Sequence, residues 1–305
     1  MRSGFMKELI RLGMEDERVW LLIGDTGFGH VEKFQEACPR RYLNVGIAEQ
    51  SIAGLAAGLA LSGKIVFYNA IANFGTHRCL EQIRNDICYH HANVKLVVSG
   101  GGLAYGSLGM SHHLIEDLAV MRGLQDIIVM APGDPVEARL ATRAAYEHDG
   151  PIYIRLGRSG ERVIHRDDVP FQIGKAIRVR DGDALTLVST GGMLESAVNV
   201  AERLEHEGTR VRVVSMHTLR PIDAGEIASA AAETGGIVTI EEHVLTGGLG
   251  SAVAEVMADT GLNARLTRIG LPPGFVRGAG SHAYMKQCAG LDDDSILTVV
   301  KKVLG

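Results

Sequence analysis

Glu49 is the side chain of this sequence best placed to do chemistry. It stands in Asn44-Val45-Gly46-Ile47-Ala48-Glu49-Gln50 and heads Ser51-Ile52-Ala53-Gly54-Leu55-Ala56-Ala57-Gly58-Leu59-Ala60, a run of apolar and small residues. A carboxylate in apolar surroundings is costly unless it is protonated or paired. Such a group can share a proton with a ligand near neutral pH. The plainer reading is a glutamate in the first turn of a helix, favoured by the helix dipole. Gly54, Gly58 and the alanines at 53, 56, 57 and 60 would let another backbone come close. Ala53 to Ala60 is therefore the expected contact between two copies of the chain.

A second group with chemical potential is a glycine-rich loop, Ser99-Gly100-Gly101-Gly102-Leu103-Ala104-Tyr105-Gly106-Ser107-Leu108-Gly109-Met110-Ser111-His112-His113. It follows a strand-like run and delivers two histidines to the start of Leu114-Ile115-Glu116-Asp117-Leu118-Ala119. It is no nucleotide loop, since Gly-x-Gly-x-x-Gly entering a helix and Gly-Lys-Ser/Thr are both missing. A metal site is disfavoured, because adjacent histidines diverge and no third ligand is spaced nearby. Pro151-Ile152-Tyr153-Ile154-Arg155-Leu156-Gly157-Arg158 ends a strand with two arginines, which can hold an anion bidentately. For Arg155 a solvated surface position is an equal alternative. Asp25, after the first strand, is either a site residue or a turn residue.

The elements that must position these groups alternate along the chain. Val19 to Ile23, Ile65 to Tyr68, Val94 to Val98 and Ile127 to Met130 read as strands. Cys79 to Tyr89 and Pro135 to Tyr146 read as helices between them. Leu185 to Ser189, Val211 to Ser215 and Gly236 to Ile240 start a second series, with helices at Glu195 to Glu207 and Gly250 to Ala258. Short apolar runs separated by helices indicate parallel sheets covered on both faces. The charged, turn-rich stretch Gly157 to Phe171 divides the series. The expected fold is α/β, two doubly wound domains over residues 1–165 and 172–305, with right-handed crossovers.

Composition agrees. The 305 residues suit two domains, and 46 % hydrophobic with 22 % charged residues supports sizeable cores. A net charge of −5 gives no electrostatic case for nucleic acid or a membrane surface. Met1 to Phe5 has no apolar core of a signal peptide, and Ile47 to Leu61 is too short to span a bilayer. Cys38, Cys79, Cys88 and Cys288 form no Cys-x-x-Cys pair, so reduced thiols in a cytoplasm are expected.

In combination these motifs resemble the transketolase family of thiamine diphosphate enzymes, over essentially the whole chain. The Glu49 run is similar to the family's cofactor-activating segment, whose glutamate hydrogen-bonds the aminopyrimidine and promotes its imino tautomer. Phe67-Tyr68-Asn69-Ala70-Ile71-Ala72-Asn73-Phe74-Gly75-Thr76-His77-Arg78-Cys79-Leu80-Glu81-Gln82-Ile83-Arg84 resembles the pattern of an aromatic residue, an arginine and a Glu-Gln-Ile-Arg-like helix. The resemblance implies that Phe74 stacks on the pyrimidine, with Tyr68 a weaker choice for the same task. It gives His112 contact with the substrate-derived intermediate and proton transfer, and leaves His113 as polar support. It assigns the substrate anion to Arg158, with Arg155 and Arg2 beside it, and puts Asp25 near the cofactor. Glu241-Glu242-His243-Val244-Leu245-Thr246-Gly247-Gly248-Leu249-Gly250 resembles the family's C-terminal domain signature, read here as packing and interface.

Two departures matter. Ser107-Leu108 stands where ordinary transketolases carry an acidic pair that meets donor hydroxyls, and Leu108 cannot accept a hydrogen bond. The Mg²⁺-diphosphate module, Gly-Asp-Gly followed by Asn, is missing; Gly24-Asp25-Thr26-Gly27 lies too early. The chain thus resembles the smaller subunit of a split transketolase that transfers a two-carbon ketol unit between sugars. Thiamine diphosphate would lie between unlike chains, with Mg²⁺ held by an N-terminal diphosphate-binding partner and an α2β2 heterotetramer as the assembly. The alternatives are a β subunit of a 2-oxo-acid dehydrogenase E1 and a non-catalytic interaction subunit. The Ser-His-His-x-x-Glu-Asp loop speaks against the first, and the presence of Glu49 and His112 against the second.

Overall fold

The apolar runs form two mostly parallel sheets, in a computed structural model that describes residues 1–158 and 160–305. The first half supplies β1 (Val19–Ile23), β2 (Tyr42–Asn44), β3 (Ile65–Ile71), β4 (Val94–Ser99), β5 (Ile128–Met130) and β6 (Ile152–Leu156). The second supplies β7 (Ile177–Arg180), β8 (Thr186–Ser189), β9 (Arg212–Ser215), β10 (Thr218–Arg220), β11 (Ile237–Val244) and β12 (Leu266–Leu271). The helices of the first half are α1 (Arg2–Glu15), α2 (Glu32–Ala37), α3 (Glu49–Leu61), α4 (Leu80–Gln82), α5 (Asp117–Gly123) and α6 (Pro135–Glu147). Those of the second are α7 (Met193–His206), α8 (Ala224–Glu233), α9 (Leu249–Thr260), α10 (His282–Cys288) and α11 (Asp293–Leu304).

The first sheet runs β10-β5-β6-β4-β3-β1-β2 and the second β12-β11-β8-β9-β7. Neighbouring strands are parallel except for β10 on β5 and β7 on β9, which are antiparallel. Side chains alternate across each strand. Leu21, Ile23 and Phe67 meet α1 and α6 on one face, while Leu22, Val66 and Tyr68 meet α3 on the other. That second cluster continues without a break into Val188, Val214, Leu219 and Ile237 of the second half. Leu187, Val213 and Val238 pack on α7 and α11 at the far side.

Three features differ from expectation. First, β10 crosses from the second half into the first sheet, so the 157–171 stretch does not separate the halves cleanly. Second, Cys79 to Tyr89 is no regular helix. A 3₁₀ turn (His77–Cys79) leads into α4 and then a π-helical segment, Ile83–Cys88, with Tyr89 N–H bonded to the Arg84 carbonyl. The wider turn keeps Ile83, Ile87 and Cys88 all buried. Third, within Ala53 to Ala60 the four alanines at 53, 56, 57 and 60 are buried in the chain's own core. The outward face of α3 carries Gln50, Ser51, Leu55 and Gly58 instead.

The connection between the halves is pinned at Asp134, the N-cap of α6. Its carboxylate accepts from Glu137 N–H at 2.7 Å and from Ile164 and His165 N–H at 2.8 Å each. Burial alone would raise its pKa, but His165 and these three N–H groups bring it to about 2. Its contribution to stability is full above the unfolded carboxyl value of ~3.9. It is lost as pH falls from there through about 2. Asp134→Ala should lower stability by about 2–4 kcal/mol at neutral pH, read as a shift in the denaturant midpoint. A shift below ~0.5 kcal/mol would show that the connection is held elsewhere.

Candidate active site

In an open parallel sheet, the crevice outside the carboxyl ends of the strands is widest where the chain reverses its direction of travel. Here β1 leads outward to β2, and the chain then returns to place β3 on the other side of β1. A cavity of about 170 Å³ opens at that point, lined by Gly24, Asp25 and Thr26 after β1 and by Ala70, Ile71 and Phe74 at the end of β3. Ile47 and Glu49 close it from the segment that enters α3.

Glu49 begins α3 and is 5 % exposed. Its Oε2 accepts a 2.7 Å hydrogen bond from Arg78 Nη1. Arg78 in turn lies 4.3 Å over the centre of the Phe74 ring. Phe74 is half-buried, and the edge-to-face contact of its ring with the His112 ring has a centroid distance of 5.0 Å. Ser111 Oγ stands 3.0 Å from His112 Nδ1, which leaves Nε2 to meet a ligand. Burial pushes the His112 pKa below the ordinary imidazole value, so the ring is neutral at pH 7. The Tyr105 ring lies 6.2 Å from the His112 ring, and the Arg158 guanidinium 5.4 Å from Tyr105. Gly100 permits this arrangement, because a Cβ there would come within 2.1 Å of the Tyr105 ring.

Glu49, Phe74, His112 and Arg158 are therefore joined in one continuous row through Arg78 and Tyr105. Asp25 borders the cavity with φ of 53°, and the Asn44 side chain accepts from its backbone N–H. A non-glycine residue held at positive φ beside a cavity is a strain that often accompanies a site. Arg2 stands next to Arg158, its Nε donating to the Arg158 carbonyl at 2.5 Å. Leu108 is exposed beside the same loop.

Two expected residues lie elsewhere. Tyr68 is fully buried between α3 and the sheet and does not line the cavity, so its ring has no face to offer a ligand. Arg155 is 4 % exposed. Its Nη2 bonds the Leu114 carbonyl at 2.7 Å and the Glu242 carbonyl at 2.9 Å, and its Nε lies 3.1 Å from Asp117. It clamps the two halves together, and these donors are not available to a substrate. His113 is buried behind His112. The contributions of Arg78 and Tyr105 were not anticipated. Arg78 follows Phe74 by four residues inside one motif, but a charge beside an aromatic residue says nothing of a partner about thirty residues earlier.

The cavity suits a flat heteroaromatic group with one hydrogen-bonding edge. It has apolar walls, a half-exposed aromatic face and a single buried carboxylate. Residues 1–162 match the family model of the transketolase pyrimidine binding domain, and residues 174–296 that of the transketolase C-terminal domain. The chain belongs to the transketolase family. It is 38 % identical over 299 residues to a Methanocaldococcus jannaschii protein named as a putative transketolase C-terminal section, covering 97 % of this chain and 93 % of that one. It is 39 % identical to one of the apulose-4-phosphate transketolase subunits of Actinobacillus succinogenes, covering 89 % of this chain and 88 % of the relative. A split gene transketolase solved as an inactive beta4 tetramer superimposes with a TM-score of 0.90 at 38 % identity, covering 99 % and 97 % of the two chains. This transketolase chain thus carries the pyrimidine-binding and C-terminal parts of the family's architecture.

Arg155→Met should cost about 3–5 kcal/mol of stability, because it strands the fully buried Asp117 carboxylate with only the Tyr153 hydroxyl as partner. Arg158→Ala should cost less than ~0.5 kcal/mol by the same denaturation measurement. Equal losses would mean that Arg158 is also structural.

Proposed function

We propose that the chain is the smaller subunit of a split transketolase, transferring a two-carbon ketol unit between anionic sugars. The observation that carries this reading is the convergence of Glu49, Phe74 and His112 around one crevice from three separate segments. Glu49 and Phe74 would hold the aminopyrimidine end of thiamine diphosphate. When bound, that cofactor supplies the carbanion chemistry by which a carbon–carbon bond beside a ketose carbonyl breaks and forms. The partner chain would hold the diphosphate and its Mg²⁺, which needs oxygen ligands shared between protein and phosphate. Two copies of each chain would form the heterotetramer, in a cytoplasmic setting.

The chain's own residues supply position and protons. Arg78 engages Glu49 Oε2, so Oε1 is the atom left to hold a proton toward the aminopyrimidine edge. Ile47 and Ile71 supply the apolar lining of the cavity beside that bond. Phe74 offers one ring face for stacking, while Arg78 and His112 fix its orientation. His112, neutral at pH 7, can accept or return a proton at Nε2 where substrate hydroxyls pass. Arg158, with Arg2 behind it, would receive the anionic end, as the relative named for apulose-4-phosphate leads one to expect. Leu108 removes a polar contact from the donor side and so narrows the range of donors.

Reconstitution tests the reading. The purified chain should show no ketol transfer alone and should gain it with a diphosphate-binding transketolase subunit, thiamine diphosphate and Mg²⁺. Glu49→Gln should leave assembly intact and lower turnover by ~10²–10⁴-fold. Near-normal turnover in that variant would remove Glu49 from the proton path. Arg158→Ala should raise KM for sugar phosphates selectively, with neutral sugars unaffected. Equal rises for both would show that Arg158 does not read the anion.

A further inference from the structure

We propose that Glu242, from the second domain, is a positioning residue for the loop that carries His112, and that His282 holds it in that task. The inference rests on the role given to His112 above. Glu242 lies near the carboxyl end of β11, where successive side chains point to opposite faces. Glu241 turns back to its own domain and accepts the Leu249 and Gly250 N–H groups at 2.7 and 2.8 Å, capping α9. Glu242 turns the other way and crosses into the first domain. It is 5 % exposed, and its Oε1 accepts two hydrogen bonds of 2.7 Å, from Leu103 N–H and from His282 Nε2.

The backbone it reaches is the base of the His112 loop. Gly102 and Leu114 exchange two backbone hydrogen bonds of 2.8 and 2.9 Å, closing the loop that contains residues 103–113. Each side of that closure is tied to Glu242. Its carboxylate holds Leu103, the residue after Gly102. Its carbonyl shares Arg155 Nη2 with the Leu114 carbonyl. Gly102 has φ of 65°, and a Cβ there would lie 2.4 Å from the Glu242 carboxyl carbon, so the position is shaped around this side chain. A third tie, Gly280 N–H to the Gly106 carbonyl at 3.1 Å, comes from the residues just before α10. The Glu242 carboxylate thus places a charged group of the second domain directly against this loop's backbone, and burial makes it depend on its donors. His282, at the first turn of α10, is the donor that can be removed without opening the core, since its side chain is 42 % exposed.

The test separates positioning from simple cohesion of the domains. In the reconstituted complex, Glu242→Leu should lower kcat by ~10–100-fold, the range expected when a reacting group shifts by about an ångström, with KM for thiamine diphosphate changed less than about twofold. Glu242→Gln keeps an Oε1 acceptor and should restore most of kcat. In hydrogen exchange on the full chain, Glu242→Leu should speed exchange at least about tenfold in residues 103–112 while the strands of both sheets keep their protection. His282→Leu should shift the loop in the same direction by a smaller amount, and it decides the matter if Glu242→Leu fails to fold. Unchanged loop exchange in His282→Leu, or acceleration spread evenly over both domains, would overturn the proposal. The exchange measurement needs no ketol transfer, so a failure of the transketolase reading would be seen separately, in the unsubstituted complex.

Discussion

The constraint on which this site turns is the burial of one carboxylate. Glu49 is shielded from water, and a shielded carboxylate without a partner is among the costlier defects a fold can carry. Arg78 meets that need from a segment 29 residues away, and its position has consequences of its own. To reach Glu49 it turns inward on a 3₁₀ turn, and the helix that follows is widened into a π segment before it settles into the core. Its guanidinium also covers one face of Phe74. A single ion pair therefore links the start of α3, the aromatic wall of the cavity and the irregular backbone after β3.

The sheet does the rest of the gathering. The functional groups follow β1, β3, β4 and β6, or enter the helix that precedes β3. A parallel sheet puts the carboxyl ends of all those strands along one edge. Segments far apart in sequence are thus brought to a common crevice by topology, and short side-chain contacts make the final adjustments. The row from Glu49 to Arg158 is ordered by ring contacts and one ion pair. This suits a site that must present a flat face to one ligand and a charge to another.

The parts of this arrangement that were legible in the sequence have local causes. Strand runs, helix runs and the α/β class follow from apolar periodicity. Glu49, Phe74, His112 and Arg158 stood out because each sat in a run with an unusual composition or a recognisable motif. What was missed depends on contacts distant in sequence. Arg155 looked like a free arginine at a strand end, and only the approach of β11 buries it against Asp117 and Glu242. Tyr68 stood as the weaker choice for stacking, and strand alternation turns it into the α3 face of the sheet. The alanines of α3 have the composition of a close contact, and on their side of the helix the chain's own core meets them. The π segment leaves no signature, since its apolar spacing also fits an ordinary helix within one residue.

The contacts between the two halves share a direction, from the second half of the chain into the first. β10 extends the first sheet at its β5 edge, and one apolar cluster runs through both halves. The buried Arg155 bridges carbonyls on either side of the boundary, and the Glu242 carboxylate reaches the base of the His112 loop. A hinge between the domains would take the Glu242 carbonyl from Arg155 and the carboxylate acceptor from Leu103 N–H, while Arg155 kept Asp117 and the Leu114 carbonyl within the first half. The two domains are therefore tied at the base of the His112 loop by direct hydrogen bonds and by one shared apolar cluster. Ile47 lines the Glu49 cavity and is itself exposed, as are Phe28, Leu108 and Met110 elsewhere on the surface. The loop that carries His112 is anchored from both halves of the chain, by a carboxylate on one side of its base and a shared arginine on the other.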